Sequence, residues 1–339
     1  MKFLKSRPLY LAALMAFIVV NSYSSPTHAA DKKIEIKIGS VTIKDTVHQW
    51  MLNFKANVER RVGNRVNVRV FPAGQLGGIP REIEGVQLGT QQIVLLPPDF
   101  FVGIDKGFMV TSAPGLFRDL RHAQNSMHDP AFKQRFFKLG NDKGIQPFGI
   151  FAGDLAHYVS RRPIEKLSDF ENKKIRVFAS PMERLTMKKL GASPAPIPLL
   201  QALQALQRGT IDGMKSGFSI FTSFKYWSVT KHLTRTTEST IAVMAVTNPA
   251  FMAKLPADIR QILIEEAQHT DWQTLAFSEV FLKTNQGKWE KNGGTVYDLS
   301  KEDRAELTKR LQSVGDEVVS DLPQVKELFG ILKTAAAKY

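Results

Sequence analysis

The sequence is most constrained between residues 173 and 217, where strand, helix and turn signals follow one another. Segment 173–178 alternates apolar and polar residues as a short strand does, with Ile175 and Val177 on one face and Arg176 on the other. In open α/β sheets, ligands gather at the carboxyl ends of strands, where Arg176 would lie. A guanidinium beside free helix N–H groups suits an anion, although a strand arginine is more often a surface or salt-bridge residue.

Helix signals follow this strand directly. Ser180 and Glu183 have the spacing of a capping box, in which each side chain bonds to the other residue's backbone. The helix is predicted to run to Leu190 and to end in a left-handed cap at Gly191. A second helix with leucines on one face ends at Gly209. The unit therefore predicts a strand whose end lies beside the start of a helix.

The remaining pattern predicts an α/β protein with a long helix. Ahead of this unit, strands and helices alternate, with strands predicted over 34–38, 66–70 and 93–96 and helices over 46–62 and 83–88. Single helices are also predicted over 123–140 and 300–318, and a strand over 241–246. Apolar residues recur at helical spacing from Pro256 to about Lys291, which predicts one helix of roughly 50 Å or two helices joined by a kink.

The first residues have the three parts of a secretory signal. Lys2, Lys5 and Arg7 precede an apolar core over 8–20, which is too short to span a membrane comfortably, and small residues precede Ala29. We expect cleavage near Ala29, an exported protein in the periplasm and, since no cysteine follows the signal, no lipid attachment.

Composition excludes several classes of function. The formal net charge is +14, but no run of five basic residues occurs, so we expect no nucleic-acid partner; dispersed positive charge suits small anions or a solvated surface. The chain has no cysteine, which excludes disulfides, thiol chemistry and thiolate metal sites. Neither a GxSxG nor an HExxH motif occurs, and the seven histidines are scattered. We therefore expect no catalytic residue, no metal and no cofactor.

Three motifs of the central unit carry a family resemblance: KIRV at 174–177, LGASP at 190–194 and ALQRGTIDG at 205–213. In order and spacing they resemble the solute-binding proteins of tripartite ATP-independent periplasmic (TRAP) transporters, dicarboxylate-receptor type. Segments 71–77 and 84–89 resemble the same proteins. The resemblance implies a periplasmic binding protein type II-like fold, with two α/β lobes, exchanged strands and a long helix that spans both lobes.

The resemblance also implies the division of the chain. We expect a signal peptide at 1–29. The first lobe would comprise 30–153 and 242–281, and the second lobe 154–241 and 282–339.

The family's binding mode implies that Arg176 forms a two-pronged ion pair with a substrate carboxylate. Other candidate ligand contacts lie beside it in the second lobe or on the loops of the first lobe: Phe178, Lys215, Ser216, Phe218, His48, Arg81 and Phe100. Each of the first-lobe candidates has a structural alternative, and for Lys215 the sequence slightly favours a solvent-facing position over ligand contact. Phe218 is by default a packing residue that could also line the pocket.

Two departures from the family pattern concern the substrate. Many relatives carry a second ligand arginine seven or eight residues before the Pro-Ile pair at 163–164, where this chain has Ala156 and Leu155. Ser216 stands where relatives usually have an asparagine, and Lys215 where they often have an acid. We expect a substrate anchored by one carboxylate on Arg176, with a remainder unlike the common sugar acids and C4-diacids.

These observations predict a receptor and not an enzyme. A monomeric extracytoplasmic protein would close over a small organic carboxylate and deliver it to the membrane subunits of a TRAP permease. Two alternatives stay open: the substrate-binding protein of an ATP-driven importer, and a secreted enzyme acting on a small carboxylic acid.

Overall fold

One mixed sheet of nine strands organises the computed structural model, which describes residues 33–339. The predicted signal and its cleavage site lie outside the described residues. The strands are β1 (Ile34–Gly39), β2 (Val66–Phe71), β3 (Ile93–Leu96), β4 (Gln146–Ser160), β5 (Lys174–Arg176), β6 (Ser193–Ala195), β7 (Gly213–Gly217), β8 (His232–Thr247) and β9 (Thr295–Asp298). Their order is β2-β1-β3-β8-β4-β7-β5-β6, with β9 beside β8.

Helices cover this sheet. They are α1 (Thr46–Val62), α2 (Ile79–Gln87), α3 (Leu120–Met127), α4 (Pro130–Phe136), α5 (Pro181–Lys189), α6 (Leu199–Arg208), α7 (Phe218–Ser223), α8 (Pro249–Lys254), α9 (Ala257–Lys291), α10 (Lys301–Leu311), α11 (Val314–Val319) and α12 (Pro323–Lys338). No helix of residues 33–339 combines the length and apolar character that a membrane span requires.

Two long antiparallel strands join the two ends of the sheet. β4 and β8 pair from Gln146 opposite Thr247 to Ser160 opposite His232, while β3 pairs with β8 on one side and β7 pairs with β4 on the other. The first group of strands, β1–β3, is thus linked to the second group, β5–β7, by two crossings. This two-lobed α/β architecture is the predicted fold class. Of the long strand β8, the strand predicted over 241–246 covers only the C-terminal part. The lobe boundaries given above stay a prediction.

The long helix α9 is a single element of 35 residues. Near its middle, Asp271 accepts a hydrogen bond from Trp50 of α1 (2.7 Å) and another from the backbone N–H of Ile150 in β4 (3.0 Å). Near its end, Asn285 accepts a bond from Thr222 of α7 (2.8 Å). The prediction of one long helix is confirmed, and α9 is bonded to elements beside both groups of strands.

The structure differs from the sequence-based expectation in three places. The predicted helix 123–140 is divided into α3 and α4 at Pro130, whose ring removes a helical N–H and which starts a new helix capped by Asp129. The predicted helix 300–318 is divided into α10 and α11. Between α5 and α6, where the sequence indicated no strand, lies β6, which is an edge strand and therefore tolerates Pro194.

Candidate functional site

Arg176, the last residue of β5, is fully buried. Its Nε–H donates to the carbonyl oxygen of Ile197 (2.9 Å), and Nη1 donates at 3.5 Å to the carbonyl oxygen of Lys215. Nη2 is buried and has no hydrogen-bond partner within the described part of the chain. A buried charged donor without an acceptor is costly. The guanidinium is therefore held in place by backbone carbonyls, while its Nη2 group is left for another acceptor.

The surroundings of this guanidinium are mostly apolar. The Phe178 ring lies 5.2 Å from its central carbon, in the range of a cation–π contact. Burial lowers the pKa of Arg176 to about 10, against the opposing influence of Tyr226 and Glu183. At neutral pH the side chain is thus cationic, and among residues 33–339 no carboxylate forms a salt bridge with it.

The guanidinium borders a small cavity between the two groups of strands, the Arg176 cavity. Its volume, counted as the space open to the centre of a water-sized sphere, is about 50 Å³. A single water needs roughly 10–15 Å³ on the same measure. Most of its wall is apolar and comes from both groups of strands and their helices: Val41, Ile79, Leu96, Leu199, Ile220 and Ile241. Phe100, Phe178 and Ser216 also line it, so four of the predicted site residues, counting Arg176, meet here.

Phe100 and Phe178 close the cavity from opposite sides. Their ring centroids are 5.3 Å apart, with Phe100 following β3 and Phe178 following β5. A second contact between the two sides joins the Ser223 hydroxyl to the carbonyl oxygen of Lys44 (3.1 Å). Because Arg176 has no exposed surface, a solute reaches its guanidinium only through a movement of the surrounding residues.

Two acids that the sequence did not indicate also line the cavity. Asp45 caps α1 by accepting from the His48 N–H (2.9 Å). Asp154, on β4, accepts from the backbone N–H groups of Leu155 and Ser219, each at 2.8 Å, and so caps α7. Burial raises the pKa of Asp45, and it raises the pKa of Asp154 to about 6. Neither acid belongs to a recognisable sequence motif, so neither was predicted to line the site.

Gly217 makes the position of Asp154 possible. A Cβ atom at residue 217 would lie 2.3 Å from Asp154 Oδ2. Any side chain there would displace the carboxylate that holds the start of α7, so the glycine at the end of β7 shapes this wall of the cavity.

Lys215 lies on the neighbouring strand β7 and is also buried, so the solvent-facing alternative is wrong. Its Nζ contacts Glu183 Oε1 (2.6 Å) and Glu238 Oε1 (3.1 Å). Glu238 also accepts from the hydroxyl groups of Tyr158 (2.8 Å) and Thr236. Lys215, Glu183, Glu238 and Tyr158 are called the Lys215 cluster. Burial works against the charge of Lys215, but Glu183 and Glu238 overcome it and raise its pKa.

This cluster corrects the predicted capping box. Ser180 does cap α5, accepting from the Glu183 N–H (3.3 Å). The Glu183 carboxylate instead bonds to Lys215, because that buried ammonium group needs an anionic partner. Burial raises the pKa of Glu183 to about 7, although Lys215 acts in the opposite direction.

Four predicted contacts are not brought to the Arg176 cavity. Lys215 is engaged by its cluster, and His48, in the first turn of α1, faces the Lys44 backbone. Arg81 is exposed in α2 beside a separate surface hollow. Phe218 packs edge-on against His157 and near Trp289.

The two positions at which many relatives carry a second arginine also lie outside the wall of the Arg176 cavity. Leu155 borders a different hollow, and Ala156 is buried. Register shifts in β4 between Ala152 and Asp154 and between Leu155 and His157 change the alternation of faces. As a result Asp154 borders the Arg176 cavity.

A family model described as bacterial extracellular solute-binding protein, family 7, matches residues 39–321. The chain belongs to this family. Among similar proteins, the 2,3-diketo-L-gulonate-binding periplasmic protein of Escherichia coli is 27% identical over 331 residues, covering 94% of this chain and 95% of the relative. The C4-dicarboxylate-binding periplasmic protein of Rhodobacter capsulatus is 28% identical and covers 91% and 93%.

Solved structures give the same result for the fold. A TRAP periplasmic solute-binding protein from Shewanella oneidensis, with bound succinate, has a TM-score of 0.82 and 26% identity, covering 90% of this chain and 99% of its own. One from Desulfovibrio salexigens, with bound orotic acid, has a TM-score of 0.86 and 22% identity, with the same coverage. The prediction of a TRAP-type solute receptor is confirmed over the ATP-driven importer alternative, and these relatives are solute-binding proteins rather than enzymes.

Proposed function

We propose that this chain is a periplasmic receptor that binds one small organic carboxylate at Arg176 and delivers it unaltered to a TRAP permease. The observation that carries this proposal is the buried, unpartnered Nη2 of Arg176 at the wall of a small cavity. A carboxylate would supply the missing acceptor and neutralise the charge, because a guanidinium presents a planar fork of donors. The predicted cleavage near Ala29 would release the receptor into the periplasm.

Capture would proceed by closure of the two sides over the solute. A carboxylate that enters the open cleft binds Arg176, and the Phe100–Phe178 and Ser223–Lys44 contacts then form above it. β4 and β8 are the two crossings about which such a movement would occur, and the register shifts in their ladder interrupt regular pairing there. Since contacts from both sides surround the solute, binding favours the closed conformation.

Relatives that bind carboxylates by name or in their solved structures support this class of solute. The Rhodobacter capsulatus relative is named for C4-dicarboxylates, and the Shewanella oneidensis structure contains succinate. We expect this receptor to act as a monomer and without cofactor.

The test begins with native mass spectrometry of freshly purified protein, to identify an acid carried through purification. Titration calorimetry then compares that acid with its carboxamide, using the native chain, Arg176→Gln and Arg81→Gln. We expect Arg176→Gln to weaken binding by roughly 100-fold or more, since it removes one member of a buried charge pair. Arg81→Gln is the matched control, because Arg81 is exposed and outside the cavity.

Two results would contradict the proposal. In one, Arg176→Gln binds the acid as tightly as the native chain does. In the other, the recovered acid is chemically converted on incubation with the protein, which would make the chain an enzyme.

A further inference from the structure

The charges around the Arg176 cavity are suited to one carboxylate and no more. Among the described residues that line it, Arg176 is the only cation, while Asp45 and Asp154 are acids. Both acids accept backbone N–H groups as helix caps, while Asp45 Oδ2 is buried without a hydrogen-bond partner among residues 33–339. A second carboxylate on the solute would lose its hydration and meet these acids without a cation to pair with.

The rest of the wall offers little to a solute rich in hydroxyl groups. Aliphatic side chains from both sides of the cleft dominate it, together with the rings of Phe100 and Phe178. Five wall residues carry hydroxyl groups, and two of these, Ser40 and Thr42, are already hydrogen-bonded to each other (3.2 Å). A buried sugar hydroxyl would therefore exchange its bonds to water for contact with hydrocarbon.

The dimensions of the cavity point in the same direction. Its space of about 50 Å³ accommodates a few water-sized groups beyond the guanidinium. Phe100 and Phe178 are in ring contact above it, which prevents extension in that direction. A compact apolar remainder fills such a space and gains from burial, whereas a chain of polar groups does not.

We propose that the solute is a short aliphatic monocarboxylate, whose single carboxylate pairs with Arg176 and whose branched apolar remainder packs against the cavity wall. This inference rests on the proposed function, since it assumes a carboxylate on Arg176. It assigns a solute class different from the C4-dicarboxylates and sugar-derived acids for which the two curated relatives are named.

The experiment is a calorimetric titration of the native chain with isobutyrate, isovalerate, valine, succinate and D-glucuronate. We expect the two branched monocarboxylates to bind, and succinate and glucuronate to bind roughly 100-fold more weakly or not at all. Valine tests whether Asp154, or the unpartnered Oδ2 of Asp45, accepts an ammonium group; it should bind more weakly than isovalerate, since its ammonium group would lose its hydration against a mostly apolar wall. Each ligand that binds is measured again with Arg176→Gln.

A pair of variants tests the wall itself. Leu199→Ala, at the start of α6, enlarges the cavity and should shift the preferred acid toward a longer chain, so that isocaproate gains affinity relative to isobutyrate. Leu203→Ala, one turn further along the same helix and outside the cavity wall, is the matched control and should leave the ratio unchanged.

The outcomes separate the two proposals. If succinate, glucuronate or valine binds as tightly as isovalerate, and Arg176→Gln abolishes that binding, the solute class is wrong while the receptor proposal stands. An unchanged preference for chain length in Leu199→Ala would also contradict the proposal that the solute packs against Leu199. If Arg176→Gln binds every acid as the native chain does, the receptor proposal itself fails.

Discussion

Arg176 and Lys215 lie on neighbouring strands, and both are buried, yet their charges are compensated in different ways. Lys215 contacts two carboxylates of its own chain, Glu183 and Glu238. Arg176 is held by two backbone carbonyls and forms no salt bridge among residues 33–339, although it borders a cavity. The comparison distinguishes a cation that belongs to the structure from one that needs an anion from outside the chain.

The largest effect expected from this contrast is on stability, in Lys215→Met. Removing the ammonium group leaves Glu183 and Glu238 buried beside each other without a cation, which should lower the free energy of unfolding by about 3–5 kcal/mol. Urea denaturation followed by circular dichroism measures this change. The triple variant Lys215→Met, Glu183→Gln, Glu238→Gln should recover most of the loss. If Lys215→Met were as stable as the native chain, the cluster would not be the structural charge pair described above.

A smaller effect, dependent on pH, is expected from Glu183→Gln. Burial raises the pKa of Glu183 from 4.5 to about 7, so between these pH values the folded chain binds more protons there than the unfolded chain does. The native chain should therefore lose up to about 3 kcal/mol of stability as the pH rises through this window, while the variant lacks that loss.

Thermal unfolding of both proteins between pH 4.5 and 8 tests this sign. Glu183 faces Lys215, Glu238 and Asp99, which remain in both proteins, so the comparison isolates one carboxyl group. We expect the stability of the native chain relative to Glu183→Gln to decrease as the pH rises. An increase would mean that the ammonium group of Lys215, rather than burial, governs this carboxyl group.

The smallest effect is expected from Arg176→Met in the ligand-free protein. Methionine removes a buried charge that lacks a counterion but also leaves the Ile197 carbonyl without its donor. Since these terms oppose each other, the free energy of unfolding should stay within about 1 kcal/mol of that of the native chain. Chemical denaturation of protein first unfolded and refolded without ligand measures this. A loss as large as that of Lys215→Met would show that Arg176, too, is primarily structural.

The parts of the molecule that the sequence predicted are those governed by local periodicity and by the strand–helix unit. Helix α1 and strand β3 match their predicted bounds, and Arg176 lies at the end of β5 beside the cavity, as the resemblance implied. These features depend on side-chain alternation and on one motif with fixed spacing, which a single sequence contains.

The parts that the sequence did not predict depend on which buried charges meet. Glu183 has the spacing of a capping residue, and only the packing of β7 beside α5 brings it to Lys215 instead. Asp154 gave no signal, because register shifts along β4 determine which of its residues border the cavity. Tertiary contacts between residues distant in sequence decide both outcomes, and spacing along the chain does not record them.

The bonds of α9 limit how the receptor can open. The helix is joined through Asp271 to α1 and β4 and through Asn285 to α7, so the two sides of the cleft share one continuous rod. They cannot rotate as independent bodies: either α9 bends, or a hydrogen bond of Asp271 or Asn285 breaks. Opening the cleft to release the cargo therefore costs the elastic energy of that bend or the free energy of that hydrogen bond.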